Sequence, residues 1–569
     1  MLIAVAGILL PASAQTVYEA EASVNTISGS ADAAGCSPCS GGKNVQNIGG
    51  PGNGILQFNA VKASSPGNAT VTVTYDNGAS SAMKASATVN GKVLPAISFP
   101  ATGSWAKLST ISFTAPLNAG NNTISFTGVK QSYVAEIDKI SVAMAATSTP
   151  PPTQPSDPSA PTTPTQPTAP TPPPTTGSTV SLSSFGSAGQ GGDDTQTIQS
   201  AINATAQNRQ TLEIPAGTYN VQPLNIPNNA SILLDAGATV QATSGYSSGQ
   251  RMINVVNVSN VSIIGTPGKS NFSMRKSEYT SGEYRHCLDI EGANSVSVYG
   301  IGCNNSGGDG LYIGEGSQGY SSNITVKQSS FDNNRRQGFS LISGRNITID
   351  GCSFTNTNGT APESGIDIEP NSTSDQLQNI SITNSKASGN HGEGLMVSIG
   401  NLNYSSAPIS INVSQFASSG NAQSGYFMTN EHDNNVQGVA GTITVSNSSS
   451  NGEGAYGAVA SYYDANSAAL TFSGLSVTNA NGGNTTYDGA AIGVKRGGGD
   501  QSLMGGVTFT GTSISGSNGK LSHYFSVEDY SGSGLHAISI GNWGSVSGVP
   551  SGNSMGVVNG QSVNSVNVQ

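Results

Sequence analysis

The chain has 569 residues, of which only 9% are charged and 73 are glycine, and its formal net charge is −11. This low charge, with many small polar residues, argues against a helical enzyme and favours many short strands joined by tight turns. No run of Lys or Arg stands out, so nucleic acid is not an expected partner.

The first residues, 1–14, have the pattern of a secretory signal peptide. An apolar core, Ile3–Leu10, precedes a small-residue cleavage site at Ala12–Ala14. No basic residue precedes the core, which leaves open a start farther upstream. No other stretch is long and apolar enough to span a bilayer. We therefore expect a secreted, soluble and monomeric protein with no membrane partner.

Residues 15–145 form the first block, which is predicted to be an antiparallel β-sandwich. Short alternating stretches such as Thr70–Tyr75 and Asn122–Phe126 are separated by Gly, Asn and Pro turns. Cys36 and Cys39 lie close together in this block. In an exported chain with no second cysteine pair nearby, a local disulfide is favoured over a zinc or redox site.

Seven short motifs of this block occur in the order found in family 35 carbohydrate-binding modules, which the block therefore resembles. They are Tyr18–Glu21, Cys39–Lys43, Val45–Gly49, Leu56–Asn59, Thr102–Trp105, Leu117–Asn121 and Ile137–Ile140. The resemblance implies a jelly-roll with a structural calcium ion ligated by Glu19, Glu21 and Asp138. A hard cation with oxygen ligands from both ends of the block would tie the first strand to the last. The alternative is that these are ordinary exposed acids.

One of the two tryptophans, Trp105, belongs to these motifs. An exposed tryptophan would stack on a sugar ring, whereas a buried one would be part of the core. Members of the family bind varied uronic-acid- and galactose-containing glycans, so the resemblance leaves the ligand open.

Residues 146–179 form a linker rich in Pro, Thr and Ser. Segments such as Thr149–Thr153 and Thr171–Thr175 cannot bury a core and predict an extended, polyproline-like spacer. Linkers of this composition join binding modules to catalytic domains in secreted enzymes that degrade polysaccharides. By that analogy, the linker separates two functional domains.

Residues 180–569 contain a repeat with one short strand in each copy. When Gly310, Gly338, Gly365, Gly394 and Gly425 are aligned, successive copies lie 28, 27, 29 and 31 residues apart. Such a period is typical of a solenoid. In each copy the residues one and three after the glycine are apolar and are predicted to point inward. The residues between them then lie on the outer face.

The start of this block resembles the pectate-lyase-like superfamily. Asp194 or Thr195 is a good N-cap for a short helix with one apolar face, and a strand follows at Leu212–Pro215. The resemblance implies an all-β domain, a right-handed, single-stranded parallel β-helix whose N-terminal end is plugged by the helix. Asp193 and Asp194 are then structural. Coils of roughly 25–30 residues predict on the order of a dozen turns.

The outer face of the aligned strands carries two acids between aromatic and apolar side chains. It reads Tyr312, Ser340, Asp367 with Glu369, Met396 and Phe427. Outward residues two apart on a strand are separated by about 6.6 Å, near the lower limit of the roughly 6.5–9.5 Å of inverting glycosidases. We predict that one acid protonates the leaving oxygen while the other activates water. Tyr312 and Phe427 would contact the sugar. The alternative is a pair of exposed acids without function.

Two further acidic groups precede this pair. Asp309 lies two coils before Asp367, and it is either a third catalytic acid or part of an ordinary Asp-Gly turn. Asp289 and Glu291 repeat the acidic pattern one coil before Asp309. They form a second subsite or the true centre.

Neighbouring turns supply candidate substrate-binding residues, namely Arg336, His391 and Glu393. The segment Asn390–Gly400 faintly resembles the Gly-His-Gly segment of polygalacturonase-type hydrolases, and Val494–Arg496 more weakly resembles their basic subsite. The paired aspartates of that family are absent. Neither its mechanism nor its pectin specificity is therefore carried over.

Three functions remain open, and a glycoside hydrolase acting on a polysaccharide is favoured. It needs no cofactor for hydrolysis, and calcium has only its structural role in the binding module. A polysaccharide lyase or epimerase would instead use Asp309, Asp367 and Glu369 to hold calcium against a uronate, with Arg336 or Lys495 removing the proton. The third function is a non-catalytic glycan-binding fibre. Fold alone does not separate them.

Overall fold

The computed structural model describes residues 16–63, 67–94, 96–118, 120–144, 177–430, 438–496, 503–529, 534–549, 553–563 and 566–568. The chain divides into two compact units, Met1–Pro164 and Thr165–Gln569. The predicted signal peptide and most of the predicted linker lie outside the described residues. No helix of the described residues has the length and apolarity that crossing a membrane requires.

The first unit is the predicted β-sandwich, because its alternating strands pair antiparallel in two sheets and bury their apolar faces in a shared core. Sheet A contains Ser109–Leu117, Gly67–Asp76, Glu136–Met144, Lys43–Gln46 and Asp32–Gly35 in that order, with Thr16–Glu19 paired to Glu136–Met144. Sheet B contains Thr26–Ser28, Ile55–Ala63, Gly120–Gly128, Met83–Val89 and Lys92–Val93, with Ile97–Phe99 paired to Met83–Val89. Short 3-10 helices lie at Ser40–Gly42 and Val129–Gln131. Glu19 is opposite Lys139, so the first and last strands are neighbours.

The second unit is a parallel β-helix with three faces, here named sheets C, D and E. Sheet C contains Thr179–Ser181, Thr211–Ile214, Ser231–Leu234, Ser259–Ile264, Asn294–Tyr299, Ser321–Lys327, Gly344–Asp350, Leu377–Thr383, Ile409–Ser414, Gly441–Ser446, Ala469–Ser473, Met504–Thr510, Leu535–Gly541 and Val566–Val568. Sheet D contains Gly217–Val221, Ala238–Ala242, Ser270–Ser273, Ile301–Asn304, Ser330–Asp332, Ser353–Thr355, Lys386–Ser388, Ala417–Ser419, Ser449–Asn451, Ser476–Thr478, Ser513–Ser515 and Val546–Ser547. Sheet E contains Leu224–Asn225, Ile253–Val256, Leu288–Glu291, Leu311–Gly314, Phe339–Leu341, Ile366–Ile368, Leu395–Ser398, Tyr426–Thr429, Ala458–Ser461, Ala490–Arg496, His523–Asp529, Gly556–Val558 and Gln561–Val563.

The expected β-helix of about a dozen coils is thus confirmed. Strands pair in parallel until the C-terminal end, where Gln561–Val563 and Val566–Val568 pair antiparallel with their neighbours. Short 3-10 helices lie at Leu182–Phe185, Lys276–Glu278 and Tyr487–Gly489. The aligned glycines correctly predicted the register of sheet E, because Leu311, Phe339, Ile366 and Leu395 stand side by side in successive coils.

The interior is a continuous apolar core, because each coil sends alternate side chains inward. The predicted inward residues Leu311, Ile313, Phe339 and Leu341 all have zero solvent exposure. Burial of each such side chain stabilises the fold by roughly 1.5–3 kcal/mol. Residues between them point outward and are held at fixed heights along the helix.

The helix Thr195–Gln207 packs its apolar face on the first coil, as predicted. Asp193 accepts a hydrogen bond from the Thr195 backbone N–H at 2.9 Å. Asp194 accepts hydrogen bonds from the backbone N–H groups of Gly189 and Asn220, both at 3.0 Å. Both acids therefore have the structural role expected of them.

Candidate active site

The candidate site lies on the outer face of sheet E, where one column of side chains crosses successive coils. Hydrogen-bonded register places these residues in line: Asp289, Tyr312, Ser340, Asp367, Met396 and Phe427. Neighbours in the column are about 4.8 Å apart along the β-helix axis. Ser340 and Asp367 are only 0% and 1% exposed although they point outward. Side chains from the turns between sheets D and E contact both of them.

Asp367 is a buried carboxyl with one unsatisfied oxygen. The Gln337 side-chain N–H donates to its Oδ2 at 2.7 Å, whereas Oδ1 is buried and has no partner among the described residues. Burial, followed by repulsion from Glu369, raises the pKa of Asp367 well above its usual range. A proton on Oδ1 satisfies this oxygen, so we expect Asp367 to be protonated near neutral pH.

Asp367 and Glu369 are closer than their backbone spacing suggests. A side-chain hydrogen bond joins the two carboxyl groups and contributes to the raised pKa of Asp367. The expected separation of about 6.6 Å therefore does not describe the carboxyl oxygens, since both side chains bend toward each other. Glu369 is half-buried and reaches solvent, whereas Asp367 does not. Glu369 is the accessible member of the pair, and Asp367 is the buried one.

Asp309 is fully buried beside a cation and two polar groups. The Arg336 Nη1 lies 3.3 Å from Asp309 Oδ2 and 3.5 Å from the Ser340 hydroxyl. Burial raises the pKa of Asp309 to about 6, although the Arg336 charge acts to lower it. Asp309 is therefore ionised at neutral pH, whereas Asp367 is protonated. The two acids have different protonation states in one site.

His286 is a site residue that sequence reasoning missed. Its Nδ1 accepts a hydrogen bond from the Asp309 backbone N–H at 3.0 Å, and its ring stacks on Tyr312 with centroids 4.7 Å apart. Burial, followed by the charges of Arg251 and Arg336, lowers the pKa of His286 well below its usual value. The ring is therefore neutral, with its proton on Nε2. Its 3.4 Å approach to Asp309 Oδ2 is not an ion pair.

Arg336 lies over the acids, as its position in a neighbouring turn suggested. Its Nε is 3.6 Å from Glu283 Oε2, and its side chain is 16% exposed. Burial alone would lower the pKa of Arg336, but Asp309, Asp367 and Glu283 outweigh it and raise the pKa. Since Asp309 and Asp367 have almost no exposure, a substrate contacts them only after a local displacement of the groups above them.

The earlier acidic pair is neutralised by a second arginine. Arg251 lies 3.4 Å from Asp289 Oδ2 and 3.0 Å from Glu291 Oε1. Burial and the neighbouring Glu291 raise the pKa of Asp289 well above its usual range. Asp289 is fully buried, so Glu291 and Tyr312 form the accessible surface of this part of the sheet.

The two predicted substrate-binding residues His391 and Glu393 lie in different surroundings. His391 is 68% exposed and pairs with Glu363 at 2.5 Å, so it contacts neither Asp367 nor Glu369. Glu393 lies one coil beyond Ser364, whose hydroxyl approaches Glu393 Oε2 at 3.3 Å. Burial raises the pKa of Glu393. Glu393 therefore belongs to the face of the acid pair, and His391 lies at its margin.

In the sandwich, Trp105 is 46% exposed. Its ring lies directly on Gly78, where an added Cβ would be only 2.4 Å from the indole. Only glycine permits this close approach. The exposed ring is thus supported from below, which is the arrangement that a stacking platform needs.

Two of the three predicted calcium ligands, Glu19 and Asp138, meet at Ser40. The Ser40 hydroxyl donates to Glu19 Oε2 at 2.5 Å and lies 2.9 Å from Asp138 Oδ1. Glu21 Oε2 and Asp138 Oδ2 are buried oxygens without a hydrogen-bonding partner among the described residues. Such oxygens fit a hard cation. The predicted Cys36–Cys39 disulfide is present, and Cys287, Cys303 and Cys352 are free, buried thiols.

Comparisons with known proteins find similarities to both domains. Residues 55–142 match a CBM13-like family model described as an alpha-galactosidase CBM13 domain. A family 35 carbohydrate-binding module from Clostridium thermocellum is 37% identical, with a TM-score of 0.22, over 22% of this chain and 98% of the module. No curated protein sequence matches the chain.

Two solved structures extend over the larger domain. The A-module of the mannuronan C-5 epimerase AlgE4 from Azotobacter vinelandii is 17% identical, with a TM-score of 0.50, over 66% of this chain and 96% of that one. The Agl-KA catalytic domain is 15% identical, with a TM-score of 0.45, over 97% of this chain and 99% of that one. The AlgE4 likeness shows a shared β-helix fold. Because the family 35 module matches over nearly its whole length, the N-terminal domain of this chain belongs to the family 35 carbohydrate-binding modules.

Proposed function

We propose that this protein is a secreted glycoside hydrolase that cleaves a neutral polysaccharide on sheet E and is held on it by the N-terminal module. The observation that carries the proposal is the division of protonation states. Burial and the neighbouring Glu369 raise the pKa of Asp367 well above its usual range, while Asp309 is ionised above about pH 6. Acid–base hydrolysis of a glycosidic bond needs one carboxyl in each state.

In the proposed mechanism each acid has a separate role. Glu369 reaches solvent and receives its proton from Asp367, so it donates to the leaving oxygen. Asp309 lies two coils earlier, at the turn that precedes Leu311–Gly314, where Arg336 contacts both Asp309 and Ser340. In inverting enzymes, roughly 6.5–9.5 Å between the two carboxyl groups leaves room for the attacking water. Asp309 then activates that water, and Arg336 stabilises its charge.

The charge of the groove supports a neutral substrate. Arg251 is paired with Asp289 and Glu291, and Arg336 with Asp309 and Glu283. Neither arginine is left to neutralise the carboxylate of a uronic acid. The raised pKa of Arg336 also makes it a poor base, which argues against proton abstraction by this side chain.

The binding module supplies attachment to the polymer. Trp105 stacks on a sugar ring, and calcium bound by Glu19, Glu21 and Asp138 fastens the first strand to the last. This cation is structural, and hydrolysis needs none. With the leader predicted at residues 1–14, the enzyme acts outside the cell as a monomer.

The test follows reducing ends and ultraviolet absorbance while the full chain is incubated with α- and β-glucans, galactan, alginate and polygalacturonate. Reducing ends from a neutral polymer without absorbance are expected. Asp367→Asn and Glu369→Gln should each remove this activity. Asp350→Asn, an acid on the outer face of sheet C, is the matched control and should not. Reducing ends accompanied by the absorbance of an unsaturated uronate would overturn the hydrolase in favour of a lyase.

A further inference from the structure

Beyond the acid pair, the outer face of sheet E continues as two parallel columns of different chemistry. Register places Met396, Phe427 and Val459 after Asp367 in the first column. The second column consists of Ser398, Thr429 and Ser461, which stand in register with one another. Because Val397 pairs with Ile368, Ser398 follows Glu369 in the next coil. One column is apolar and the other carries hydroxyls.

The apolar column has a supported aromatic ring and a defined end. Phe427 is partly buried and packs on Tyr456 and Val459. The ring of Tyr456 lies over Gly493, where an added Cβ would be 2.8 Å from it. The Tyr456 hydroxyl accepts from the Tyr487 backbone N–H at 3.0 Å and lies 3.4 Å from Glu528 Oε1. These hydrogen bonds fix the position of Tyr456, which closes the C-terminal end of the apolar column.

The hydroxyl column has unused hydrogen-bonding groups. Ser398 and Thr429 are half-buried. Within the described part of the chain neither side-chain hydroxyl has a hydrogen-bonding partner. Their donors and acceptors are therefore free for water or a ligand, at intervals of about 4.8 Å along the β-helix axis.

We propose that these two columns bind a neutral oligosaccharide segment of the substrate on the C-terminal side of the acid pair. Sugar rings place their apolar faces on Met396 and Phe427 and direct hydroxyl groups to the half-buried Ser398 and Thr429. The track from Asp367 to Val459 spans three coil spacings, about 14 Å. Within the two columns themselves, the described residues between Glu369 and Lys495 are uncharged, so the track offers no ion pair to a uronate. The inference rests on the proposed function in taking the acid pair as the point of cleavage.

Ligand protection of an introduced thiol tests the track independently of catalysis and of the binding module. In Ser398→Cys, the native thiols of Cys287, Cys303 and Cys352 are buried, so iodoacetamide should react at the introduced position. The rate is measured with and without the glucans, galactan and alginate. A neutral polymer should slow labelling about tenfold, and alginate should not. The matched control is Thr444→Cys, half-buried on Gly441–Ser446 of sheet C, whose labelling should be unchanged.

A second variant keeps the inference testable if the cysteine variant does not fold. Phe427→Ala should raise KM about tenfold with kcat nearly unchanged, because stacking on the ring is present before and during the reaction. Protection without hydrolysis would support the track and refute the hydrolase. Hydrolysis of a polymer that gives no protection would overturn the track, as would equal labelling in the presence of every polymer.

Discussion

In the carbohydrate-binding module, Glu19 and Asp138 both bond Ser40, and among the described residues Asp138 forms an ion pair with Lys139 at 3.6 Å. In the groove of the β-helix, by contrast, Asp309 and Asp289 each lie beside an arginine of their own domain. Both regions bury several carboxylates. They differ in where the compensating positive charge comes from.

This difference explains why similar acids have different uses. We propose that an external cation satisfies the buried oxygen atoms of Glu21 and Asp138, which have no donor among the described residues, whereas the similar oxygens of Asp309 and Asp367 lie beside Arg336 or carry a proton. Carboxyls whose counter-charge is built into the fold can instead have their protonation adjusted by burial and by their neighbours. In this proposal the module holds a metal ion, whereas the groove supplies acids and bases.

Replacing Arg336, the positive charge that the groove itself supplies, should have the largest effect. In Arg336→Gln, Asp309 remains buried without its counter-charge, so its pKa should rise from about 6 to above neutrality. At pH 7 the base is then protonated, and kcat/KM should fall tenfold or more and recover at higher pH. Arg345→Gln on sheet C is the control. An unchanged pH profile in Arg336→Gln would show that Asp309 is not the base.

Removing the external cation should destabilise only the module. Asp138→Asn and Glu21→Gln should abolish the stabilisation that calcium gives, which is about 2.7 kcal/mol at a hundredfold excess over Kd. Differential scanning calorimetry should show one transition moving down while that of the β-helix stays in place. Asp32→Asn, an exposed acid of the same sheet, is the matched control. Identical transitions with and without calcium in the wild type would refute the metal site.

The wild-type pH profile should sharpen the assignment of the base. Hydrolysis needs ionised Asp309, whose pKa is raised to about 6 by burial. Below that pH, kcat/KM should fall tenfold per unit, and above it the profile should level off until Asp367, whose pKa is raised by burial, loses its proton. A profile that stays flat down to pH 4 would exclude Asp309 from this role.

A buried acid of the module offers the smallest expected effect. Burial, followed by the charges of Glu136 and Asp138, raises the pKa of Asp76 to about 7. The folded module therefore holds this proton more tightly than the unfolded chain, and the stability it contributes is lost as the pH rises through about 7. In calcium-free buffer, Asp76→Asn should raise the unfolding temperature by a few degrees at pH 8 but not at pH 4. Equal effects at both pH values would contradict this.

Most of the fold could be predicted from the sequence because it depends on local pattern. The spacing of the aligned glycines and the alternation around them sufficed to place Asp367 outward and Ile366 inward. Motifs near both ends of the sandwich likewise predicted that Glu19 and Asp138 would approach each other. These features need only the period of the strand and the pairing of neighbouring coils.

The electrostatics of the site could not be predicted in the same way. Asp309 looked like ordinary turn chemistry, and its burial depends on Arg336 and His286, which come from other coils. His286 precedes a strand that lacks the glycine used to align the other copies. The alignment therefore did not identify His286 as a site residue. Gln337 stands immediately before Gly338, as Asp309 does before Gly310. This shared position could have identified Gln337 as a site residue. Contacts between turns decide which acids hold protons.

Chelation separates the two kinds of site in one measurement. Hydrolysis of a soluble neutral polysaccharide by the full chain is followed by its reducing ends in excess EGTA and in excess calcium. The account predicts equal rates, because the groove carries its own positive charges, while the unfolding temperature of the module falls in EGTA. Loss of hydrolysis in EGTA, with recovery on adding calcium, would contradict it and would place a working cation among Asp309, Asp367 and Glu369.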